Sequence, residues 1–356
     1  MTAPPQIDDL VEVAAALEQG AEEFLSDRVS ADATVDTLWP ELTALGWFEM
    51  LLPEADGGLA LSPVALGGIV RAAGRHLVPG PLLEHLFVAP FLLAALTDPN
   101  GQEALRSAVG GAFLALADPD AGVAGDDAPR RDADGRLTGV VRLVPHAGRA
   151  DLFVVVARDD DRAEHLVVVD RHDRGVRVQA RSALTQTHEV ADVVLEAAVG
   201  TALCCPVDVL VQLRTWMRVL SAAWLLGVAE QVLALTVAYV AQRKQFGRVV
   251  GSFQAVQHTV ADMSADVAML GNLVSSTLAR LTEEAVVTSY ESGLAVKAHA
   301  AQACLGVCES ALQMHGGIGF TTDYHLQRFY KSAIALRGYY GEPEDLYLEI
   351  GQRAVH

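Results

Sequence analysis

Arg243-Lys244-Gln245-Phe246-Gly247, followed by Gly251-Ser252-Phe253-Gln254, is the first of two stretches on which the reading of this chain turns. It comes after a very apolar segment, 219–240, broken only by Glu230. It reads as a helix ending in two cations, a glycine turn, and a new helix opening with serine. The second stretch, Gln313-Met314-His315-Gly316-Gly317-Ile318-Gly319-Phe320-Thr321, closes another helical segment about 70 residues further on. Each has a plain reading: cations that complement a helix C-terminus, and glycines that end a helix. Each also has a functional one. A helix N-terminus beside an arginine holds a phosphate, and glycines let a backbone approach a phosphate or sugar closely.

Outward from these stretches the texture falls into three parts. Residues 1–110 carry apolar residues at three-and-four spacing over 8–31 and 35–45, a turn-rich break at 53–58, and further helix over 63–73 and 82–96. Residues 111–203 change to short β-branched runs at 113–117, 152–157, 165–169 and 190–195, separated by Asp, Gly, Arg and Pro. Asp126-Asp127 and Asp159-Asp160-Asp161 read as solvated loop tips. Residues 204–356 return to the helical period, with long helices over 208–242, 253–281 and 285–314 and two shorter ones. Asp208 stands where an N-cap would. The expected fold is therefore an α+β multidomain chain: an N-terminal helical domain, a middle antiparallel β domain, and a C-terminal four-helix bundle.

Composition limits the function. Among 356 residues there are 26 Lys and Arg against 45 Asp and Glu, a net charge of −19. That balance argues against a nucleic-acid surface, which needs clustered cations, and against docking on an anionic membrane. Only Lys244, Lys297 and Lys331 are lysines, which together with heavy Ala, Val and Leu usage suggests a GC-rich bacterial genome. The four cysteines read as small buried residues, and no His or Cys cluster supplies a metal site. The first 20 residues lack the basic and apolar regions of a signal peptide, and 219–240 reads as a buried bundle helix, so a cytoplasmic protein is expected.

Taken in order and at their spacing, the two quoted stretches resemble the C-terminal domain of the acyl-CoA dehydrogenase family. The resemblance continues through Asp323-Tyr324-His325-Leu326-Gln327-Arg328-Phe329-Tyr330-Lys331. It reaches back to Trp39-Pro40-Glu41-Leu42, Pro53-Glu54-Ala55-Asp56-Gly57-Gly58 and Gly74-Arg75-His76-Leu77. It implies non-covalent FAD, a carboxylate that removes the α-proton of an acyl-CoA thioester, transfer of the β-hydrogen to flavin, and electron exit to an electron-transfer flavoprotein. It also implies that Arg243, Phe246, Phe253, Gln254, Gln313, Gly316 and Gly317 bind the diphosphate and adenosine of FAD held by a neighbouring subunit, a role for which a guanidinium is suited.

The same resemblance marks departures. The family's base is a glutamate that falls on Tyr340 here, and a phenol with a pKa near 10 is a poor substitute. Glu342 stands two residues away and is the candidate displaced base; it also reads as part of the acidic first turn of the last helix. A second family position for the base falls near Met217, between Trp216 and Arg218, and Glu230 on the same helix reads as a paired buried charge. The family's Thr-Glu-Pro-x-Ala-Gly-Ser-Asp stretch becomes Ala117-Asp118-Pro119-Asp120-Ala121-Gly122-Val123-Ala124. The Trp and Thr beside the flavin ring fall on Leu143 and Pro145, which lose an aromatic surface, a hydroxyl and an N–H. Elements that serve a neighbour's FAD are kept, whereas those for an own flavin ring and base are degraded. The expectation is a hetero-oligomer with a second, catalytic acyl-CoA dehydrogenase subunit, of the kind typical of actinobacterial sterol side-chain breakdown. The alternatives are a self-sufficient homo-oligomer using Glu342, and a flavin-free binding protein of the same fold.

Overall fold

A computed structural model describes residues 7–30, 33–121, 128–185, 188–281 and 285–355. Gly122, Val123, Ala124, Asp126 and Asp127, singled out above, lie outside them. The N-terminal helices are α1 (Ile7–Arg28), α2 (Val35–Ala44), α3 (Leu66–His76), α4 (Ala89–Ala95) and α5 (Pro99–Val109). Local chemistry sets several of their ends. Thr34 and Thr37 form a reciprocal capping box at α2. The Asp98 carboxylate accepts the Gly101 N–H at 2.6 Å to open α5, a helix the apolar periodicity did not single out. A π-helical turn, Glu84–Val88, precedes α4; such turns recur at functional sites.

The middle region holds β1 (Leu114–Ala117), β2 (Arg130–Arg131), β3 (Leu137–Pro145), β4 (Leu152–Arg158), β5 (Glu164–Asp170), β6 (Val176–Arg181), β7 (Val190–Ala198) and β8 (Thr201–Ala202). They form one sheet in the order β6-β7-β3-β2-β4-β5-β8, with β1 beside β4. Its pairs are antiparallel apart from β1–β4 and β2–β4, which run parallel. Val155, Val167, Val169, Val193 and Phe153 fill its inner face. His85 joins the sheet to the helices. Its Nε2 accepts the Leu114 N–H at 2.9 Å, which leaves Nδ1–H to donate to the Ala108 carbonyl at 3.1 Å. Burial holds its pKa at about 3, so the ring stays neutral and this tautomer fits both bonds.

The C-terminal region comprises α6 (Val209–Gln242), α7 (Gln254–Arg280), α8 (Val286–His315), α9 (Leu326–Gly338) and α10 (Pro343–Val355). Length and composition would let α6 cross a membrane, yet 72% of its most apolar window is buried within the protein. Asp208 makes no side-chain cap to α6; its carboxylate instead takes the Gln212 amide at 2.6 Å. Glu230 is the paired charge expected, bonded by Arg71 and Arg75 of α3, which also engage Glu18 of α1. Glycines permit this close packing. A Cβ on Gly74 would lie 2.2 Å from the Trp224 carbonyl oxygen, and one on Gly227 would lie 2.0 Å from that of Arg71. One hydrophobic core accordingly runs from α1 through α3 and α6 to Tyr340. Cys304 and Cys308 are buried within it, whereas Cys204 is exposed and Cys205 partly so, because both sit in the connection before α6.

Candidate cofactor and base sites

The first quoted stretch is a hairpin rather than a simple helix cap. After Gln242 the backbone of Arg243 is extended, and β9 (Lys244–Gln245) pairs with β10 (Arg248–Val249). Phe246 and Gly247 both have left-handed φ, 51° and 78°, the geometry of a two-residue hairpin turn. Ser252 does not open the next helix: its hydroxyl donates to the Val249 carbonyl at 2.7 Å, and Phe253 holds the N-cap place of α7. The Phe253 ring meets Phe246 edge-on at 6.2 Å and carries the Arg248 guanidinium 3.9 Å from its centroid. Phe246 is 90% exposed. Arg243 and Gln254 are exposed, and Arg243 forms no ion pair among the described residues.

The second stretch lies against the same end of α6. The Tyr239 ring stacks on His315 with centroids 4.3 Å apart, its hydroxyl donating to the His315 carbonyl at 3.3 Å. Gly316 adopts φ 63° and ψ −145°, which only glycine holds without strain. A Cβ on Gly316 or Gly317 would meet nothing within 4 Å, so the face is open. Gln313, Ile318 and Phe320 are exposed beside it. An exposed guanidinium, two exposed carboxamides, an exposed ring and an open glycine turn make a donor set that fits a diphosphate-bearing cofactor approaching from outside the chain.

The base slot is the opposite case. Lys297 of α8 is fully buried and donates to the carbonyls of Leu336, Arg337 and Gly341 at 3.3, 2.8 and 3.5 Å, satisfying the end of α9. Burial lowers its pKa to about 7. Tyr340 and Gly341 then turn with positive φ, 61° and 123°. Tyr340 points inward: its hydroxyl donates to Glu84 Oε1 at 2.7 Å, and its carbonyl accepts from Arg218 Nε at 3.2 Å. Burial raises Glu84 to about 7, against the Tyr340 hydrogen bond, which lowers it. Arg214 ties Asp118, Asp120 and Glu164 together at 2.7, 3.1 and 3.0 Å. The space left between these groups and Tyr340 is about 10 Å³, room for one water at most. Met217 is buried, and no carboxylate stands on its turn. Glu342 precedes α10, 3.7 Å from Arg337.

Glu84 and Lys297 were missed in the sequence. Each is a lone charge inside an apolar helical run, and that is the signal that could have found them. Leu143 lies 38% exposed in an open cleft of about 230 Å³ between β3, β7 and α9, with Tyr339, Glu342 and the buried His188 also lining it.

Residues 208–355 match the family model described as acyl-CoA dehydrogenase, C-terminal domain. Acyl-CoA dehydrogenase FadE27 of Mycobacterium tuberculosis is 30% identical, over 83% of this chain and 82% of that protein. Acyl-CoA dehydrogenase IpdE2 of the same organism is 28% identical, over 84% and 80%. Among solved structures, a Tcur3481-Tcur3483 steroid ACAD variant superposes with TM-score 0.86 at 27% identity, covering 96% of this chain and 98% of that one. The ChsE4-ChsE5 complex from Mycobacterium tuberculosis superposes with TM-score 0.83 at 26% identity, covering 100% and 98%.

Proposed function

The chain belongs to the acyl-CoA dehydrogenase family, and on that premise we propose that it is the partner subunit of a mixed FAD enzyme desaturating the Cα–Cβ bond of an acyl-CoA thioester. The observation that carries the reading is the contrast between a free, outward-facing Arg243 and a base slot filled by Tyr340 and closed by Glu84. Bound FAD supplies the two-electron acceptor for the oxidation. Arg243 would neutralise its diphosphate, and Gln254 and Gln313 would hydrogen-bond its polar edges. Phe246 and Phe253 would cover its adenosine, and Gly316 and Gly317 would keep the approach clear. The α-proton must leave to a base held opposite the flavin. With no carboxylate in the matching slot, that base comes from the catalytic homologue. Electrons would leave to an electron-transfer flavoprotein in the cytoplasm. Likeness to a steroid acyl-CoA dehydrogenase supports a sterol side-chain thioester as the substrate class.

The test is a visible spectrum. The chain purified alone should be colourless, and flavin bands should appear when it is co-expressed with a homologue that has an intact base. One FAD retained per chain by the isolated protein would overturn the reading. If no partner brings flavin, a flavin-free binding module takes its place. Glu342 at the cleft rim favours one second reading, a self-sufficient enzyme with a displaced base. Glu342→Gln should then abolish turnover, and unchanged turnover removes it.

A further inference from the structure

The hairpin at the end of α6 breaks two local rules, and each break places an aromatic ring. A two-residue turn with left-handed φ at both central positions favours Asn-Gly or Asp-Gly. Here Phe246 holds the first place at φ 51° and Gly247 the second. A helix N-cap favours Ser, Thr, Asp or Asn. Here Phe253 holds that place at α7 and gives no side-chain cap, while Ser252 stands one residue short of it. Neither ring serves the backbone conformation beneath it. Departures of this kind gather at functional positions.

The backbone under the rings is fixed. The Val250 N–H donates to the Arg243 carbonyl at 2.7 Å and the Phe253 N–H to the Val250 carbonyl at 3.1 Å. A Cβ on Gly251 would lie 3.0 Å from the Val240 carbonyl oxygen, so the hairpin base is packed on α6. The rings need separate support, because Phe246 is 90% exposed and a solvated side chain changes rotamer quickly. Phe246 meets Phe253 edge-on with centroids 6.2 Å apart, and the Arg248 guanidinium lies 3.9 Å from the Phe253 centroid. Arg248 pairs with Gln245 across the ladder, beside the turn, and forms no ion pair among the described residues. The attraction of a guanidinium for a ring face thus ties the hairpin to the start of α7. Arg243 has no such ring contact among the described residues and stays available to an anion.

We infer that Arg248 is a positioning residue. It acts through Phe253, fixes the two rings in the arrangement that the adenosine of a neighbouring subunit's cofactor meets, and leaves the diphosphate to Arg243. The inference rests on the FAD reading above. Two rings at the surface suit an adenine, since every base offers a π-face for stacking.

The test is a double-mutant cycle read by FAD titration of the mixed complex, stripped of flavin beforehand, at low and high salt. Arg248→Met keeps an apolar stem and removes the charge. It should weaken FAD about 2- to 5-fold, the range of an exposed cation–π contact, and equally at both salt concentrations. Arg248→Lys should restore most of that loss. Phe253→Leu should weaken FAD by itself, and adding Arg248→Met to it should cost nothing more. Arg243→Ala removes a phosphate contact and should instead flatten the salt dependence. A loss in Arg248→Met that shrinks with salt, or that adds in full to Phe253→Leu, makes Arg248 a phosphate contact and overturns the inference. Unchanged or tighter binding overturns it too. The brace is also read without flavin: in the chain alone, amides 244–249 should exchange faster in Arg248→Met at an unchanged melting temperature. If Arg243→Ala leaves the FAD content of the mixed complex unchanged, the cofactor reading fails, and amide exchange still decides whether Arg248 holds the hairpin.

Discussion

The hairpin and glycine turn at the end of α6 and α8 differ from the loop that follows α9 in how their polar groups are satisfied. At the first, Arg243 is exposed and forms no ion pair among the described residues, and Phe246 and Phe320 stand 90% and 68% exposed. At the second, Lys297, Tyr340 and Glu84 are buried and hydrogen-bonded within the chain, and Arg218 is buried with its Nε bonded to the Tyr340 carbonyl. A group held ready for an external ligand stays in water until the ligand arrives. A group that has become structural is desolvated and bonded internally. The two regions carry comparable chemistry, and their solvation separates their roles.

Restoring a carboxylate at the base slot is the harshest way to break this contrast. Tyr340→Glu would bury a second acid against Glu84 without a cation on its side chain. It should lower stability by about 3–5 kcal/mol in chemical denaturation. A variant that folds normally and gains dehydrogenase activity would show that the slot is open after all. Next comes Glu84 itself. Its folded pKa, about 7, lies above the ordinary 4.5, so the native state holds the extra proton. Its contribution is fully present below pH 4.5 and is lost as pH rises through 7. Glu84→Gln should remove up to about 3 kcal/mol of that decline, read as the difference between variant and unsubstituted chain at pH 5 and pH 8. The buried neutral histidines, His85 and His146 at about 3 and His188 at about 4, act oppositely, losing stability as pH falls below 6.5, and cancel in this difference.

At the exposed end, Arg243→Ala should leave stability within about 0.5 kcal/mol. FAD bound by the mixed complex should become roughly 10- to 100-fold weaker, measured by flavin absorbance after gel filtration. The gentlest probe is Gly316→Ala, where φ 63° and ψ −145° disfavour a Cβ although no atom crowds it. A loss of about 1–2 kcal/mol by thermal melting is expected. A larger loss would mean that the open face is packed.

Helical periodicity placed α6, α7 and α8 to within a residue or two, since each long helix repeats its apolar stripe many times. The β1, β4, β5 and β7 runs were legible because Val and Leu cluster there. β3 and β6 were not, as Gly139, Arg142 and Arg177 interrupt their apolar pattern. The parallel β1–β4 pairing depends on contacts across the chain and leaves no local mark. Arg243 could be found because a motif carries it. Glu84 could not be tied to Tyr340, since 256 residues separate them and only the packed fold brings them together. His188 gave no signal either: its ring is defined by Ser332, Tyr339 and Trp224, all distant in sequence.

The glycine contacts between α3 and α6 have a consequence for how the protein comes apart. At Gly74 and Gly227 the two backbones touch with no side chain between them, and the Arg71–Glu230–Arg75 bonds span the same seam. Neither helix can loosen without tearing both contacts. In native-state hydrogen exchange the amides of α3 and the middle of α6 should therefore open together, at the free energy of global unfolding. The N-terminal helices would then share one cooperative unit with the C-terminal bundle.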